Sequence, residues 1–338
     1  MVVYALMSLS TLPNDRITLI LGGPRSGTTW LAKIFDSHPD VLYRHEPDTV
    51  LRDPALQRNF ALDDLGAYIA PARAYLHRLF AVSTLKSAGS LPTFDKRYHG
   101  TLAHRSRQFV VFVMRVAAKL NIAPKLLQSI AIPDCLPDAA TRNLHLVMKS
   151  VSSLGRARLF AEALPGCKIV FIVRDPCGQI ASTERGFSLG KLERPVPIDE
   201  IIGTVQAARY GLTEERLFAM PRLEQLAWHW SVLNEKTLDD LEGLPNATII
   251  RYLDLCLEPI ERSKALFGFC GLDWNPQTED FVKASSTSNA PDRYFQVYKN
   301  TNESLNKWRN QLTADDQATI ISVVRQTKMW ALCKEYDS

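Results

Sequence analysis

Cysteine is scarce in this chain and shows no pairing pattern. Its six cysteines, Cys135, Cys167, Cys177, Cys256, Cys270 and Cys333, form no C-x-x-C pair and stand at no zinc-ligand spacing to histidine. That excludes a zinc finger and a disulfide scaffold and leaves free, buried thiols as the expectation. A strong excess of either charge is also missing. Forty Lys and Arg against 36 Asp and Glu give a net charge of +4, too mild for a general nucleic-acid binder, so no nucleic-acid partner is expected. No run of about 20 apolar residues occurs, so no transmembrane helix is expected. The opening MVVYALMSLSTLPNDR has no basic leader and only a short apolar run, unlike a signal peptide. A cytoplasmic location is the expectation. No repeat, low-complexity tract or linker divides the 338 residues, so a single domain over 1–338 is expected.

The residues that are present alternate in period. With 46% apolar residues the chain can bury a sizeable core. Short apolar runs at Ile17–Leu21, Leu144–Met148, Lys168–Val173 and Ala247–Arg251 read as buried strands, with Val41–Tyr43 as a short strand next to the first. Segments of helical period follow them at Thr28–Ser37, Leu154–Leu164, Gly178–Arg185, Leu223–Leu241 and Glu261–Cys270. This alternation predicts an α/β fold with a parallel sheet flanked by helices. Residues 54–137 read as a mainly helical insertion, broken at 87–92. Trp228 and Trp230 are two apart, so only one is expected fully in the core of its helix. From Lys96 to Lys125 the chain carries Lys96, Arg97, Arg105, Arg107, Arg115, Lys119 and Lys125 with no acid. Such a face is either solvated or meets an anionic acceptor or membrane headgroups, a peripheral membrane contact. Phe109–Val113 is continuously apolar and reads as the buried core of its helix.

The most informative stretch is Ile17–Glu46. An apolar run enters Gly22-Gly23-Pro24-Arg25-Ser26-Gly27-Thr28-Thr29 and continues into a helical segment. A strand, a glycine-rich turn and a helix N-terminus make a cradle for a phosphate-like anion. Gly22 and Gly27 hold the places of the two P-loop glycines, but Thr28 stands where the P-loop lysine belongs, and Arg25 lies inside the loop. The lysine that reaches the terminal phosphates of ATP or GTP is therefore absent.

Further motifs follow in order. Val170–Pro176 reads VFIVRDP, with Ser182 eight residues after Arg174; Ile249–Leu255 reads IIRYLDL; Ser304–Arg309 reads SLNKWR. Together with Pro24–Trp30 these resemble the sulfotransferases that use 3′-phosphoadenosine 5′-phosphosulfate (PAPS). The resemblance runs from about Ile17 to Leu312, with a gap from about Pro54 to Asn143. It implies a P-loop-like fold, PAPS as co-substrate and no metal. Arg25, Ser26, Gly27, Thr28 and Thr29 would bind the 5′ end of the donor. Arg174 and Ser182 would take the 3′-phosphate, a task that suits the planar arginine fork. Lys299, Ser304 and Lys307 would cover the 3′-phosphate and adenine, with Trp308 as the tryptophan of that closing segment or a core anchor. Lys149, after Leu144–Met148, resembles the strand-ending lysine that neutralises the leaving group.

The base is read from a departure. Cytosolic small-molecule members use a histidine soon after that lysine, and Lys149–Gly155 has none. Carbohydrate and tyrosylprotein members use a glutamate after the first helix and short strand, the place of Glu46, with His45 as its competitor. The expected catalytic set is Glu46, Lys149 and Arg25. The expected acceptor is a hydroxyl of a carbohydrate or glycolipid. Two other readings share the loop. A P-loop nucleotide kinase would need a lysine at Thr28 and a magnesium-binding acid. A non-catalytic nucleotide-binding protein would not need Arg25, Glu46, Lys149, Arg174 and Ser182 together.

Overall fold

The computed structural model of the chain describes residues 9, 12–60, 64–122, 126–127, 130–136, 143–192, 195–288, 297–298 and 300–333. Five strands, β1 (Ile17–Leu21), β2 (Val41–His45), β3 (His145–Ser150), β4 (Lys168–Val173) and β5 (Ala247–Arg251), form one sheet in the order β2-β3-β1-β4-β5. Every neighbouring pair is parallel. β3 separates β2 from β1, so Val41–Tyr43 belongs to a strand beside the third, not the first. Its pairing of His45 with Lys149 lengthens both strands beyond their apolar runs and puts Lys149 inside β3.

β1 and β3 are buried along their whole length, which explains why they read as unbroken apolar runs rather than alternating ones. Ile20, Val147, Val170 and Ile172 face α1 (Thr28–Asp36) and, from the C-terminal half, the helices Tyr252–Leu257, Pro259–Cys270 and Pro276–Ser286. Leu19, Leu21, Leu146, Met148 and Phe171 face the other layer. That layer is built from α2 (Leu65–Ala81), the helix Ala157–Ala163, and later helices at Pro176–Ser188, Arg222–Leu241 and Ala314–Val324. Five of the six cysteines are buried and Cys135 is exposed, all as free thiols.

Residues 54–137 contain α2, a short helix at Leu85–Ala88 and α3 (Thr101–Lys119). Among the described residues the later α-helices include α4 (Ala157–Ala163), α5 (Pro176–Ser188), α6 (Arg222–Leu241), α7 (Tyr252–Leu257), α8 (Pro259–Cys270), α9 (Pro276–Ser286), α10 (Thr301–Asn306) and α11 (Ala314–Val324), with short helices at Val205–Arg209 and Glu214–Ala219 left unnumbered. No helix among the described residues is long and apolar enough to cross a membrane.

Two expectations about helix faces fail. Trp228 and Trp230 are both buried, because α6 is enclosed by α11 on one side and by α4 and α5 on others. Trp230 Nε1 donates to Gln179 Oε1 at 3.1 Å, and the Trp228 ring lies 5.4 Å from that of Tyr210. Phe109–Val113 is not a core segment. Among the described side chains of α3 only Val111 and Met114 are buried, against Leu85, Leu127 and Ile132, while Phe109, Val110, Phe112 and Val113 are exposed. α3 is an outer layer with one covered face.

His145, at the start of β3, is buried and pairs through Nε2 with Thr18 Oγ1 at 3.0 Å. Burial, aided by His38 and Arg16, holds its pKa down at about 4. The unfolded chain then binds the proton first as pH falls. The contribution is full above the ordinary histidine value and is lost as pH falls toward 4. Between pH 7 and 4 the wild type should lose about 3 kcal/mol more stability than His145→Gln, which keeps a polar partner for Thr18 but does not titrate. Urea unfolding at several pH values checks this; parallel curves for the two proteins would refute it.

Candidate active site

The candidate residues meet at the carboxyl edge of the sheet, where doubly wound sheets hold their ligands. At the end of β1 the loop Gly22–Gly27 turns into α1. Arg25 (φ 70°) and Gly27 (φ 99°) are left-handed, a geometry that points successive N–H groups into one concavity. A Cβ at Gly22 would stand 2.7 Å from both Ile172 O and Ser26 Oγ, so the loop closes only over glycine there. Ser26 Oγ is buried with no hydrogen-bond partner. A buried hydroxyl without a partner is costly, and an anion seated in the loop would satisfy it.

Beside the loop lies an arginine pair. Arg174 follows β4 directly, and Asp175 caps α5 by accepting from Gly178 N–H, with Pro176 in the first turn. Ser182 lies on the second turn of α5. Arg25 Nε donates to Ser182 Oγ at 2.9 Å, and Arg174 Nη1 donates to Arg25 O at 3.1 Å. The Arg174 guanidinium is 5.0 Å over the Tyr252 ring and 3.6 Å from the Asp175 carboxylate. The left-handed turn at Arg25 thus sends its side chain toward α5. The arginine expected at the donor's 5′ end is engaged with the serine expected at its 3′-phosphate.

A second charged group forms where β2 and β3 end. Lys149 is nearly inaccessible. Its Nζ donates to Glu46 Oε1 and to Thr29 Oγ1, the latter at 3.3 Å. This lysine therefore ties the glutamate to the first turn of α1. Glu46 is left-handed (φ 45°), uncommon for a residue with a side chain, and its N–H donates to Lys149 O at 2.8 Å. The turn places the carboxylate back over β3. Lys86 Nζ stands 3.6 Å from Glu46 Oε2. Behind the group, Asp48 accepts from the Ser150 and Ser153 hydroxyls and fixes the segment after β3.

The charges settle in a definite order. Burial pushes the Glu46 carboxyl upward, but Lys149, His45 and Lys86 outweigh it and hold its pKa at about 2. Burial lowers the Lys149 ammonium, with Glu46 opposing. His45, 3.9 Å from Glu46 Oε1 and hydrogen-bonded to Tyr43 Oη at 2.8 Å, is pushed down to about 3 by burial and by Lys149. At neutral pH Glu46 is an ionised carboxylate and His45 a neutral imidazole.

The C-terminal segment reaches the same region: α10 packs against α7, whose Tyr252 also lies over Gly27. Ser304 Oγ donates to Asn300 O at 2.9 Å, Lys307 is exposed, and Trp308 is buried in the layer of α5 and α11. Lys299 lies outside the described residues. Sequence reasoning missed Lys86, Asp48 and Tyr252. Lys86 sits in a segment with no motif, and only the charge of Asp48 and the aromatic ring of Tyr252, beside motif residues, hinted at the others.

Comparison with known proteins adds four findings. A sequence model of the sulfotransferase family matches residues 18–276. Carbohydrate sulfotransferase 5 of Homo sapiens is 23% identical over 335 residues, covering 88% of this chain and 73% of that protein. Carbohydrate sulfotransferase 6 of Homo sapiens is 24% identical over 319 residues, covering 87% and 74%. Among solved structures, a mouse sulfotransferase complexed with PAP superposes with a TM-score of 0.44 at 14% identity, covering 98% of this chain and 92% of that one.

The loop geometry makes a direct prediction. A Cβ at Gly27 would run into the Tyr252 ring from a left-handed backbone. Gly27→Ala should therefore cost at least about 1 kcal/mol of stability. Urea unfolding reads this out, and a variant as stable as the wild type would show that the loop is not held in this turn.

Proposed function

This chain belongs to the sulfotransferase family, and we propose that it moves a sulfuryl group from PAPS to a hydroxyl of a carbohydrate or glycolipid with Glu46 as general base. The observation that carries the reading is the Thr29–Lys149–Glu46 chain of contacts. It joins the anion loop to a carboxylate on the opposite side of one buried lysine. The names of the relatives, carbohydrate sulfotransferases 5 and 6, support a carbohydrate acceptor.

The residues fit the donor. The orphaned Ser26 hydroxyl, the loop N–H groups and the Thr28 and Thr29 hydroxyls would hold its 5′ end. Arg174 and Ser182, with Arg25 bonded to Ser182, would hold the 3′-phosphate by charge-assisted hydrogen bonds. Lys299, Ser304 and Lys307 would close over the nucleotide. When bound, the donor supplies the sulfuryl group and a phosphate leaving group.

Lys149 and Glu46 then act as a matched pair. With Lys149 beside it, Glu46 is ionised but weakly basic, since its pKa is about 2. A lysine drawn toward developing negative charge on the leaving oxygen relieves that depression and makes Glu46 a better acceptor of the hydroxyl proton. One movement of Nζ serves both partners, and the positive charge remains where charge develops. His45, neutral and held by Tyr43, is a positioning neighbour.

Three measurements test the reading. Adenosine 3′,5′-bisphosphate should raise the melting temperature more than ADP or ATP, because two separate phosphate sites are occupied; a larger shift with ATP and magnesium would restore the kinase. Arg174→Ala should weaken that nucleotide by about 1.5–3 kcal/mol. Glu46→Gln should leave nucleotide affinity nearly unchanged and lower turnover by about 100-fold or more, with His45→Ala doing much less. Near-normal turnover of Glu46→Gln would remove the base.

A further inference from the structure

The exposed face of α3 is an apolar stripe bounded by cations. Leu102, Phe109, Phe112, Val113, Val116 and Leu120 follow one another at helical spacing. Phe109 is 67% exposed and Phe112 is 64% exposed. Arg105 and Lys119 are exposed toward the two ends of the same stripe, where their stems can lie along it with the charges at its margins. No Asp or Glu occurs from Lys96 to Pro133. Ile122, just beyond the helix, continues the apolar surface.

This face lies one layer from the acceptor side of the candidate site. Arg107 Nη2 donates to Ala88 O and Arg115 Nε donates to Gly89 O, both at 2.8 Å. These bonds, with Val111 and Met114 packed on Leu85, hang α3 on the short helix Leu85–Ala88. That helix packs against β2 and brings Lys86 to 3.6 Å from Glu46.

We propose that the exposed face of α3 docks the enzyme on an anionic lipid bilayer, so that the acceptor hydroxyl is presented by an amphiphile held in that bilayer. The acceptor half of this statement rests on the function proposed above; the docking half does not. An interfacial helix combines a large apolar face with basic residues and lies along the headgroup boundary. Here the exposed apolar residues line one helix face instead of standing singly, and the charged residues of α3 itself are all cationic, complementary to acidic headgroups; the nearby acid Asp95 pairs with His104 of α3. A second copy of this face fits poorly. Both ends of the stripe are cationic, so either parallel or antiparallel pairing would set Arg105 and Lys119 against like charges.

The test is flotation of the full chain with vesicles of phosphatidylcholine alone or of phosphatidylcholine mixed with phosphatidylglycerol, whose headgroup is anionic. The wild type should bind the anionic vesicles and bind the neutral ones much more weakly. Phe109→Ser with Phe112→Ser should weaken binding by at least about tenfold. The same double variant should keep the wild-type thermal shift with adenosine 3′,5′-bisphosphate, which shows that fold and nucleotide site are intact. No binding to anionic vesicles, or undiminished binding by the double variant, overturns the proposal. So does a wild-type dimer that the double variant dissolves in sedimentation without any vesicle binding. Vesicle binding with no nucleotide shift would instead leave docking standing and overturn the function on which the acceptor half rests.

Discussion

Everything in the candidate site hangs on the buried contact between Lys149 and Glu46. An ammonium in so inaccessible a place is stable only with a partner, since removing either member of a buried pair strands the other charge at a cost of about 3–5 kcal/mol. The partner comes from the neighbouring strand, β2, whose end is turned back by a left-handed Glu46. The backbone bond from Glu46 N–H to Lys149 O extends the sheet pairing by one step and fixes that turn. The contact from Lys149 to Thr29 then ties the pair to the first turn of α1.

The strand order explains why three separate segments converge. β1 lies in the middle of the sheet, so its glycine loop has β3 on one side and β4 on the other. Each flanking strand delivers one cation at its carboxyl end: Lys149 from β3 and Arg174 just after β4. The first is bonded to the Glu46 carboxylate; the second bonds to Arg25, which holds Ser182, and its neighbouring carboxylate, Asp175, is committed to capping α5. This asymmetry separates a side suited to proton transfer from a side suited to holding a phosphate. A uniform ring of arginines would bind anions equally well but would offer no base.

Much of this arrangement is legible in the sequence because it depends on local rules. β1 and β4 coincide with their apolar runs, since central parallel strands need apolar residues on both faces; β5 coincides with its run too, although it is an edge strand with only Ile250 buried. The glycine loop announces itself through Gly22 and Gly27, and α5 through Asp175 and Pro176. The contact between Arg25 and Ser182 is not legible, because residues 157 positions apart meet only through the handedness of one loop residue. Lys86 is equally hidden: nothing near it marks its approach to Glu46. Trp228 and Trp230 mislead because two-residue spacing separates faces only on a helix with one buried side, and α6 is enclosed on several. Phe109–Val113 misleads for the opposite reason. An apolar run does not say whether protein covers it, and here protein covers only the face of Val111 and Met114.

The proposed mechanism requires Lys149 to serve both the glutamate and the leaving group. A crystal structure with adenosine 3′,5′-bisphosphate bound tests that most directly. The expected result is the 5′-phosphate on the Gly22–Gly27 loop within hydrogen-bond reach of Lys149 Nζ, the 3′-phosphate on Arg174 and Ser182, and Glu46 facing the open side beyond the 5′-phosphate. A nucleotide bound in the reverse sense, or a 5′-phosphate beyond the reach of Lys149, would contradict it.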